Sequence, residues 1–225
     1  MQAIVLAGGL GTRLRSVFSE GPKPMALING RPFLSILLGN LKSIGVSEII
    51  LSVGYKSNVI SEFYLDEFNG MAIRYCVESE SLGTGGAIRK ALLQSSENPV
   101  LVVNGDTYVE FSLESGLKAW QDSGAPVIFG RHVSDVSRFG RLEVRGNYAI
   151  GFGGKESSGP GLVNAGVYIL PRNLFEGNEL PSVFSFEDYI ARDVLNRPYF
   201  VAKTFGDFID IGTPEDFERA QLIFG

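Results

Sequence analysis

The chain has 225 residues, a formal net charge of −5, 44% apolar residues and 20% charged residues. That balance supports a sizeable core and speaks against a disordered chain, while an acidic total argues against a general nucleic-acid binder, because phosphate backbones are held by basic faces. The single cysteine, Cys76, has no partner for an internal disulfide and suits a reducing cytoplasm.

Residues 2–6 are a short apolar run that reads as a buried strand emptying into a glycine-rich loop. The apolar positions Phe33, Ile36, Leu37, Leu41 and Ile44 recur at helical spacing over 33–44. A second strand is expected at 49–53, a helix at 59–68, and a third strand at 71–77, where Cys76 reads as a core residue. A helix over 85–94, a strand at 100–103, a helix over 113–120 and a strand at 127–129 follow, with His132 in the loop beyond. This alternation implies a mostly parallel, Rossmann-like α/β sheet flanked by helices on both faces. Ligands of such sheets bind beyond the carboxyl ends of the strands.

After residue 130 the pattern turns β-rich. Residues 141–145 and 148–152 flank Gly146-Asn147, a hairpin turn. A strand is expected at 162–170. Ser185 is placed to cap a helix, with Asp188 three residues on. Strands follow at 199–204 and 208–211, then a closing helix over 214–224 with Pro214 in its first turn. No linker composition separates the halves. The expectation is one domain over 1–225, its second half inserted over the sheet, with no hexapeptide repeat to build a β-helix. The apolar N-terminus breaks at Gly8 and lacks a basic segment, so neither a secretory nor a transmembrane segment is expected, and the chain should be cytoplasmic. Phe217, Leu222 and Phe224 could pair two chains or pack on the sheet, so the expectation is a monomer or a homodimer.

The stretch Leu6-Ala7-Gly8-Gly9-Leu10-Gly11-Thr12-Arg13-Leu14, followed by Pro22-Lys23-Pro24, suits a polyphosphate. Glycines let backbone N–H groups approach an anion, and Arg13 and Lys23 add full positive charge. It is not a P-loop, since no Gly-Lys-Ser or Gly-Lys-Thr occurs. Nor is it a dinucleotide fingerprint, since Leu14 holds the third glycine's place. Asp106, after the apolar run 100–103, and Asp210, within a second short apolar segment, are candidate oxygen ligands for Mg²⁺. Leu82-Gly83-Thr84-Gly85-Gly86-Ala87 is a second glycine loop whose backbone could read a base edge. Read alone, a helix start capped by Thr84 is the lesser alternative.

Together these motifs, with Asn104-Gly105-Asp106, Asn164-Ala165-Gly166-Val167-Tyr168 and Asp210-Ile211-Gly212-Thr213-Pro214, resemble the sugar-1-phosphate nucleotidyltransferases, in the family's order over nearly the whole chain. The resemblance implies a GT-A-like nucleotidyltransferase fold, a nucleotide-binding half over about 1–130 and a β-rich sugar-binding half over about 131–225. The implied reaction joins an NTP and a sugar 1-phosphate into an NDP-sugar with release of pyrophosphate. The short length, the Gly-Thr-Gly-Gly loop and the ending over 208–216 are most similar to the branch that joins GTP to a heptose 1-phosphate for surface polysaccharides.

By the same resemblance, Arg13, Lys23, Asp106 and Asp210 are the catalytic set, the two aspartates holding Mg²⁺. Leu6, Ala7, Gly8, Gly9, Gly11, Thr12, Leu82, Gly83, Thr84 and Gly85 would line the nucleotide pocket with Arg13 and Lys23. Asn104, Gly105, Gly140, Lys155, Asn164 and Glu187 would meet the sugar phosphate. An acid in the first turn of a helix is favoured by the helix dipole in any case, which offers a second account of Glu187. The family's Glu-Lys pair departs here: Lys155 keeps the lysine, while Gly154 holds the acid's place.

Rival readings are the same chemistry with dTTP, UTP or CTP and a hexose 1-phosphate, a non-catalytic nucleotide-sugar sensor, and a glycosyltransferase. The last needs an Asp-x-Asp metal site, and Asn104-Gly105-Asp106 supplies one acid.

Overall fold

Ten strands join into one sheet in the computed structural model, which describes residues 1–9, 18, 21–139, 141–153 and 158–225. In chain order the elements are β1 (Gln2–Leu6), a 3-10 helix (Lys23–Met25), β2 (Leu27–Ile28), β3 (Arg31–Pro32), α1 (Phe33–Ser43), β4 (Glu48–Val53) and α2 (Ser57–Tyr64). Next come β5 (Glu67–Phe68), β6 (Met71–Val77), α3 (Gly83–Leu92), β7 (Val100–Asn104), β8 (Thr107–Val109), α4 (Leu113–Ser123) and β9 (Val127–Val133). The remainder is β10 (Leu142–Arg145), β11 (Tyr148–Phe152), β12 (Gly161–Leu170), α5 (Phe186–Asp193), β13 (Phe200–Thr204), β14 (Phe208–Asp210) and α6 (Pro214–Ile223).

The large sheet runs β10-β11-β13-β9-β12-β7-β1-β4-β6-β5. Its heart, β7-β1-β4-β6, is parallel. β1, β4 and β7 are mostly apolar and buried on both faces because helices cover both, whereas β6 alternates buried Met71 and Ile73 with exposed Ala72 and Arg74. Alternate residues feed the two sides: Ala3, Val5, Ile49 and Leu51 pack with α1, α2 and α4, whereas Ile4, Ile50, Val100 and Val102 pack with α3 and α5. Ser112 caps α4, Ser185 caps α5 and Thr213 caps α6, each through its side-chain oxygen.

The second half does not lie over the sheet as expected. Its strands extend the same sheet, with β12 antiparallel to both β7 and β9, and β13 parallel to β9. Continuing a sheet edge satisfies the backbone of β7 directly, where a separate layer would leave an edge unpaired. The helix expected over 59–68 also ends early, at Tyr64. Leu65 takes φ +54°, and Phe68 returns in the β5–β6 hairpin to meet the Tyr64 ring edge-on at 5.8 Å. The helical spacing of Phe68 was therefore fulfilled by a turn back onto the same apolar patch. His132 lies within β9, exposed, rather than in a loop.

A third cluster joins β2, β14 and α6 through Ala26, Ile28, Ile209, Ile211 and Ala220, with Phe217 and Phe224 packed against it. Of the three apolar residues near the C-terminus considered for pairing, only Leu222 is largely exposed, at 84%. No helix among the described residues is long and apolar enough to cross a membrane.

Candidate active site

Register sets Asn104, Leu6, Ser52 and Cys76 abreast at the carboxyl ends of β7, β1, β4 and β6. The residues after each strand therefore emerge along one edge of the sheet. A cavity of about 440 Å³ opens there. Leu6, Gly8 and Gly9 form one wall, with Glu78, Ser81, Gly83 and Thr84 beside them. Lys23, Asn104, Asp106, Thr107, Asp210 and Glu187 close the other sides.

The charged end of the cavity depends on two very short strands. β8 and β14 pair antiparallel, Thr107 opposite Asp210, and Ile211 N–H donates to the Asp106 carbonyl at 3.0 Å. This pairing brings two carboxylates from distant parts of the chain together. Between them lies Lys23, held by the 3-10 helix that follows Pro22 and buried to 8% exposure. Its ammonium donates to Asp106 Oδ2 at 2.6 Å and to Asp210 Oδ1 at 3.4 Å. Thr107 Oγ1 donates to the other Asp106 oxygen at 3.2 Å. Lys23 is the only cation among the described residues that line the cavity. Gly105 fits beneath, donating to the Leu6 carbonyl at 3.0 Å.

Two carboxylates brought together in this way are hard oxygen ligands of the kind that Mg²⁺ takes, although in this structure the Lys23 ammonium lies between them. This metal takes one or two protein carboxylates and completes its shell with water and substrate phosphates. Among the described residues no group of three acids, cysteines or histidines gathers anywhere, so an all-protein cage is not the arrangement offered.

The second glycine loop is shaped from behind. Gly83 has φ +68°, and a Cβ there would lie 2.5 Å from the Phe184 carbonyl oxygen. Gly85 N–H donates to that same oxygen at 2.9 Å, and a Cβ on Gly85 would meet the Phe184 ring at 2.2 Å. These glycines thus let the segment before α5 pack close against the loop. Gly83 and Thr84 line the cavity, whereas Gly85 and Leu82 do not. Thr84 is no helix cap: its hydroxyl donates to Glu187 Oε2 at 3.0 Å and accepts from Phe186 N–H at 2.8 Å. It ties the start of α3 to the start of α5.

Glu187 also accepts from Ser185 Oγ at 3.1 Å and faces the cavity. Behind it, Asn164 Nδ2 donates to the Tyr168 hydroxyl at 2.5 Å, and Asn164 Oδ1 accepts from Gly166 N–H. Complete burial, with the Glu187 carboxylate adding to it, pushes the Tyr168 phenol well above its ordinary range, so it stays neutral.

Of the expected site residues, Leu6, Gly8, Gly9, Lys23, Gly83, Thr84, Asn104, Asp106, Glu187 and Asp210 share the one cavity. Ala7, Leu82, Gly85, Gly105 and Asn164 do not line it; backbone bonding or packing engages them, and Leu82 borders a separate cavity with Gly86 and Arg89. Gly11, Thr12, Arg13, Gly140 and Lys155 lie outside the described residues, as does Gly154. Sequence reasoning missed Glu78, Ser81 and Thr107. Glu78 had a usable signal: it directly follows a parallel strand, as the acid Asp106 nearly does after β7.

A family model described as nucleotidyl transferase matches residues 2–224. A D-glycero-alpha-D-manno-heptose 1-phosphate guanylyltransferase from Campylobacter jejuni is 42% identical over 96% of this chain and 97% of its own length. A protein of the same description from Aneurinibacillus thermoaerophilus is 38% identical over 98% and 97%. The solved structure of HddC from Yersinia pseudotuberculosis complexed with GMP-PN superposes with a TM-score of 0.87, at 37% identity over 100% of this chain and 99% of that one.

Proposed function

The chain belongs to the nucleotidyl transferase family, and on that premise we propose that it joins GTP and D-glycero-α-D-manno-heptose 1-phosphate into GDP-heptose, releasing pyrophosphate. The observation that carries this reading is the end-to-end likeness to two guanylyltransferases of that description, at 38% and 42% identity.

In the reaction, a phosphate oxygen of the sugar phosphate attacks the α-phosphorus of the nucleotide. The new P–O bond forms as the bond from the α-phosphorus to the bridging oxygen breaks, and the electron pair leaves on pyrophosphate. The attacking phosphate is already largely dianionic near neutrality, its second pKa being about 6. No general base is needed to activate it. The protein's task is alignment and charge stabilisation.

Each residue has a part in that task. Gly8 and Gly9 would give backbone approach to the nucleotide. Lys23 would turn its ammonium toward the phosphates beside the α-phosphorus. Asp106 and Asp210 would hold Mg²⁺, which would supply positive charge to offset that of the phosphates. Arg13 is assigned to the departing pyrophosphate, and Lys155 to the sugar phosphate. Asn104 and Glu187 would meet the sugar, with Thr84 and Ser185 fixing the Glu187 carboxylate. The same reading gives about 1–130 mainly the nucleotide and about 131–225 mainly the sugar phosphate within one domain, with Asn104 and Asp210 each serving the other half.

Pyrophosphate release with Mg²⁺ tests the proposal, using GTP, CTP, UTP, dTTP and ATP against heptose and hexose 1-phosphates. Release with GTP and the heptose phosphate alone is the expected result. Strong release with another pair would overturn the substrate assignment and keep the chemistry. Nucleotide binding without release from any pair would refute catalysis.

A further inference from the structure

We propose that Arg138 is a positioning residue for Asp210: its ion pair with Asp216 fixes the turn from β14 into α6 and thereby sets where the Asp210 carboxylate stands. The inference rests on the reading of Asp210 as a metal-holding residue in the proposed function.

β14 has little of its own to hold it. It is three residues long and, among the described residues, pairs only with β8, which is equally short. A two-stranded ribbon is marginal in water without further packing. What braces β14 from outside therefore decides the position of Asp210.

Two braces lie on either side of that residue. Upstream, the Phe208 carbonyl accepts from Arg219 Nη2 at 2.8 Å, and the Phe208 ring packs on Phe139 with centroids 5.3 Å apart. Downstream, α6 begins with a reciprocal cap. The Thr213 hydroxyl accepts from Asp216 N–H at 3.3 Å and donates to Asp216 Oδ2 at 3.0 Å. The same oxygen meets Arg138 Nη2 at 2.5 Å, while Arg219 stays 3.8 Å from Oδ1. Gly212, between Asp210 and the cap, lines the cavity.

Arg138 comes to this cap from the connection between β9 and β10, which is itself tied down. Val136 is fully buried, its N–H donates to the Gly159 carbonyl at 3.0 Å, and its carbonyl accepts from Phe139 N–H at 3.0 Å. The Arg138 guanidinium also stands over the Phe139 ring, 5.4 Å from its centroid. Residues 138 and 139 thus grip both braces at once. Arg138 is held above its ordinary pKa, chiefly by its bond to Asp216, and the Asp210 charge acts in the same direction. It does not line the cavity, so it acts through Asp216 and not on substrate.

Asp216 is buried, which separates this pair from an exposed ion pair of little worth. Without the guanidinium, the carboxylate would keep the Thr213 hydroxyl as its close partner. It would turn toward water, and the cap that fixes the chain after Asp210 would loosen.

The test measures Mn²⁺ binding to the nucleotide-free full chain by electron paramagnetic resonance, alongside thermal melts and kcat and KM for GTP and the heptose phosphate. The variants are Arg138→Met, Arg138→Lys, Asp216→Asn and the Arg138→Met/Asp216→Asn double. Arg138→Met should weaken Mn²⁺ binding and lower kcat by about 10-fold each, as loss of a residue behind a metal ligand commonly does, with KM for GTP little changed. Arg138→Lys should recover part of both losses, and the double variant should bind Mn²⁺ no more weakly than Asp216→Asn. Melts identify a variant that does not fold; Asp216→Asn, which keeps the shape of its side chain, carries the same expectation as Arg138→Met. Unchanged Mn²⁺ binding in either folded single variant would overturn the inference, as would a further loss in the double. Failure of the underlying reading looks different: Asp210→Asn would leave Mn²⁺ binding untouched, which removes the metal role of Asp210 and this inference together. Absence of turnover with GTP and the heptose phosphate would overturn the proposed substrates alone, since the Mn²⁺ comparison needs no turnover.

Discussion

Lys23 and Asp106 form the tightest charged contact of the cavity, Nζ to Oδ2 at 2.6 Å, with the lysine at 8% exposure and the aspartate at 38%. The same ammonium reaches Asp210 at 3.4 Å. Lys23 thus bridges the two carboxylates that would hold the metal under the proposed function, and on that reading lysine and metal would compete for one place. Lys23→Met should lower kcat about 100- to 1,000-fold, the usual cost of losing a preorganised charge at a phosphoryl centre. It should also tighten Mn²⁺ binding to the nucleotide-free protein several-fold, measured by electron paramagnetic resonance. Weaker Mn²⁺ binding in the variant would contradict the competition.

Asp106→Asn and Asp210→Asn should each reduce pyrophosphate release by 100-fold or more. The double variant should be no worse than either single one, because residues that act through one ion fail as a unit. Chelation with EDTA should stop the unaltered enzyme and excess Mg²⁺ restore it. Additive losses in the double variant would mean the two aspartates do separate work.

Gly105 lies under the carboxyl ends of β7 and β1, where a Cβ would stand 2.6 Å from the Leu6 carbonyl oxygen and 3.2 Å from Ala7 Cα. Both obstacles are backbone and cannot step aside. Gly105→Ala should cost about 1–3 kcal/mol, a fall of roughly 2–12 °C in Tm for a chain of this length. Since Asp106 is the next residue, activity should fall as well. Gly39, inside α1, has nothing within 4 Å of its would-be Cβ. Gly39→Ala should gain about 0.5–1 kcal/mol from helix propensity. Thermal melts of the two variants should move in opposite directions.

Burial pushes the Tyr64 and Tyr189 phenols up to about 12, from an ordinary value of 10. Burial raises Tyr168 and Tyr199 as well. Unfolded phenols ionise near pH 10, whereas the folded ones stay neutral, so the unfolded state sheds protons first. The stability these groups contribute is whole below pH 10 and is lost as pH rises toward 12. Urea midpoints taken from pH 8 to 11.5 should drop steeply above 10. Tyr64→Phe should soften that drop. At pH 7 the same change should cost about 1 kcal/mol, because the Ser35 hydroxyl loses its partner at 2.7 Å.

Much was legible in the order of residues because parallel strands announce themselves locally. The runs at 2–6, 49–53, 71–77 and 100–103 became β1, β4, β6 and β7 with bounds shifted by at most one residue. β1, β4 and β7, buried on both faces, need apolar residues on both, and β6 buries alternate residues; either requirement is written in the strand itself. The same holds for Lys23, Asp106 and Asp210, whose charges interrupt apolar segments. Residue order alone thus sets the α/β class, the sheet edge along which the cavity opens and the charged residues gathered there.

The three-dimensional arrangement decided what depends on distant partners. The second half extends the sheet because the open edge of β7 needed a hydrogen-bonded neighbour, and β12 supplies it antiparallel. Thr84 turned from cap to tie because α5, far along the chain, offered Phe186 N–H and Glu187. Asp106 and Asp210 meet only because β8 and β14, three residues each, pair across that separation. Strands so short leave no periodicity to read. Glu78 follows the same rule: its acid was visible in the sequence, but its place beside Gly8, Ser52 and Leu82 came from folding alone. Local pattern sets what each segment buries, and chain closure sets which side chains then face one another.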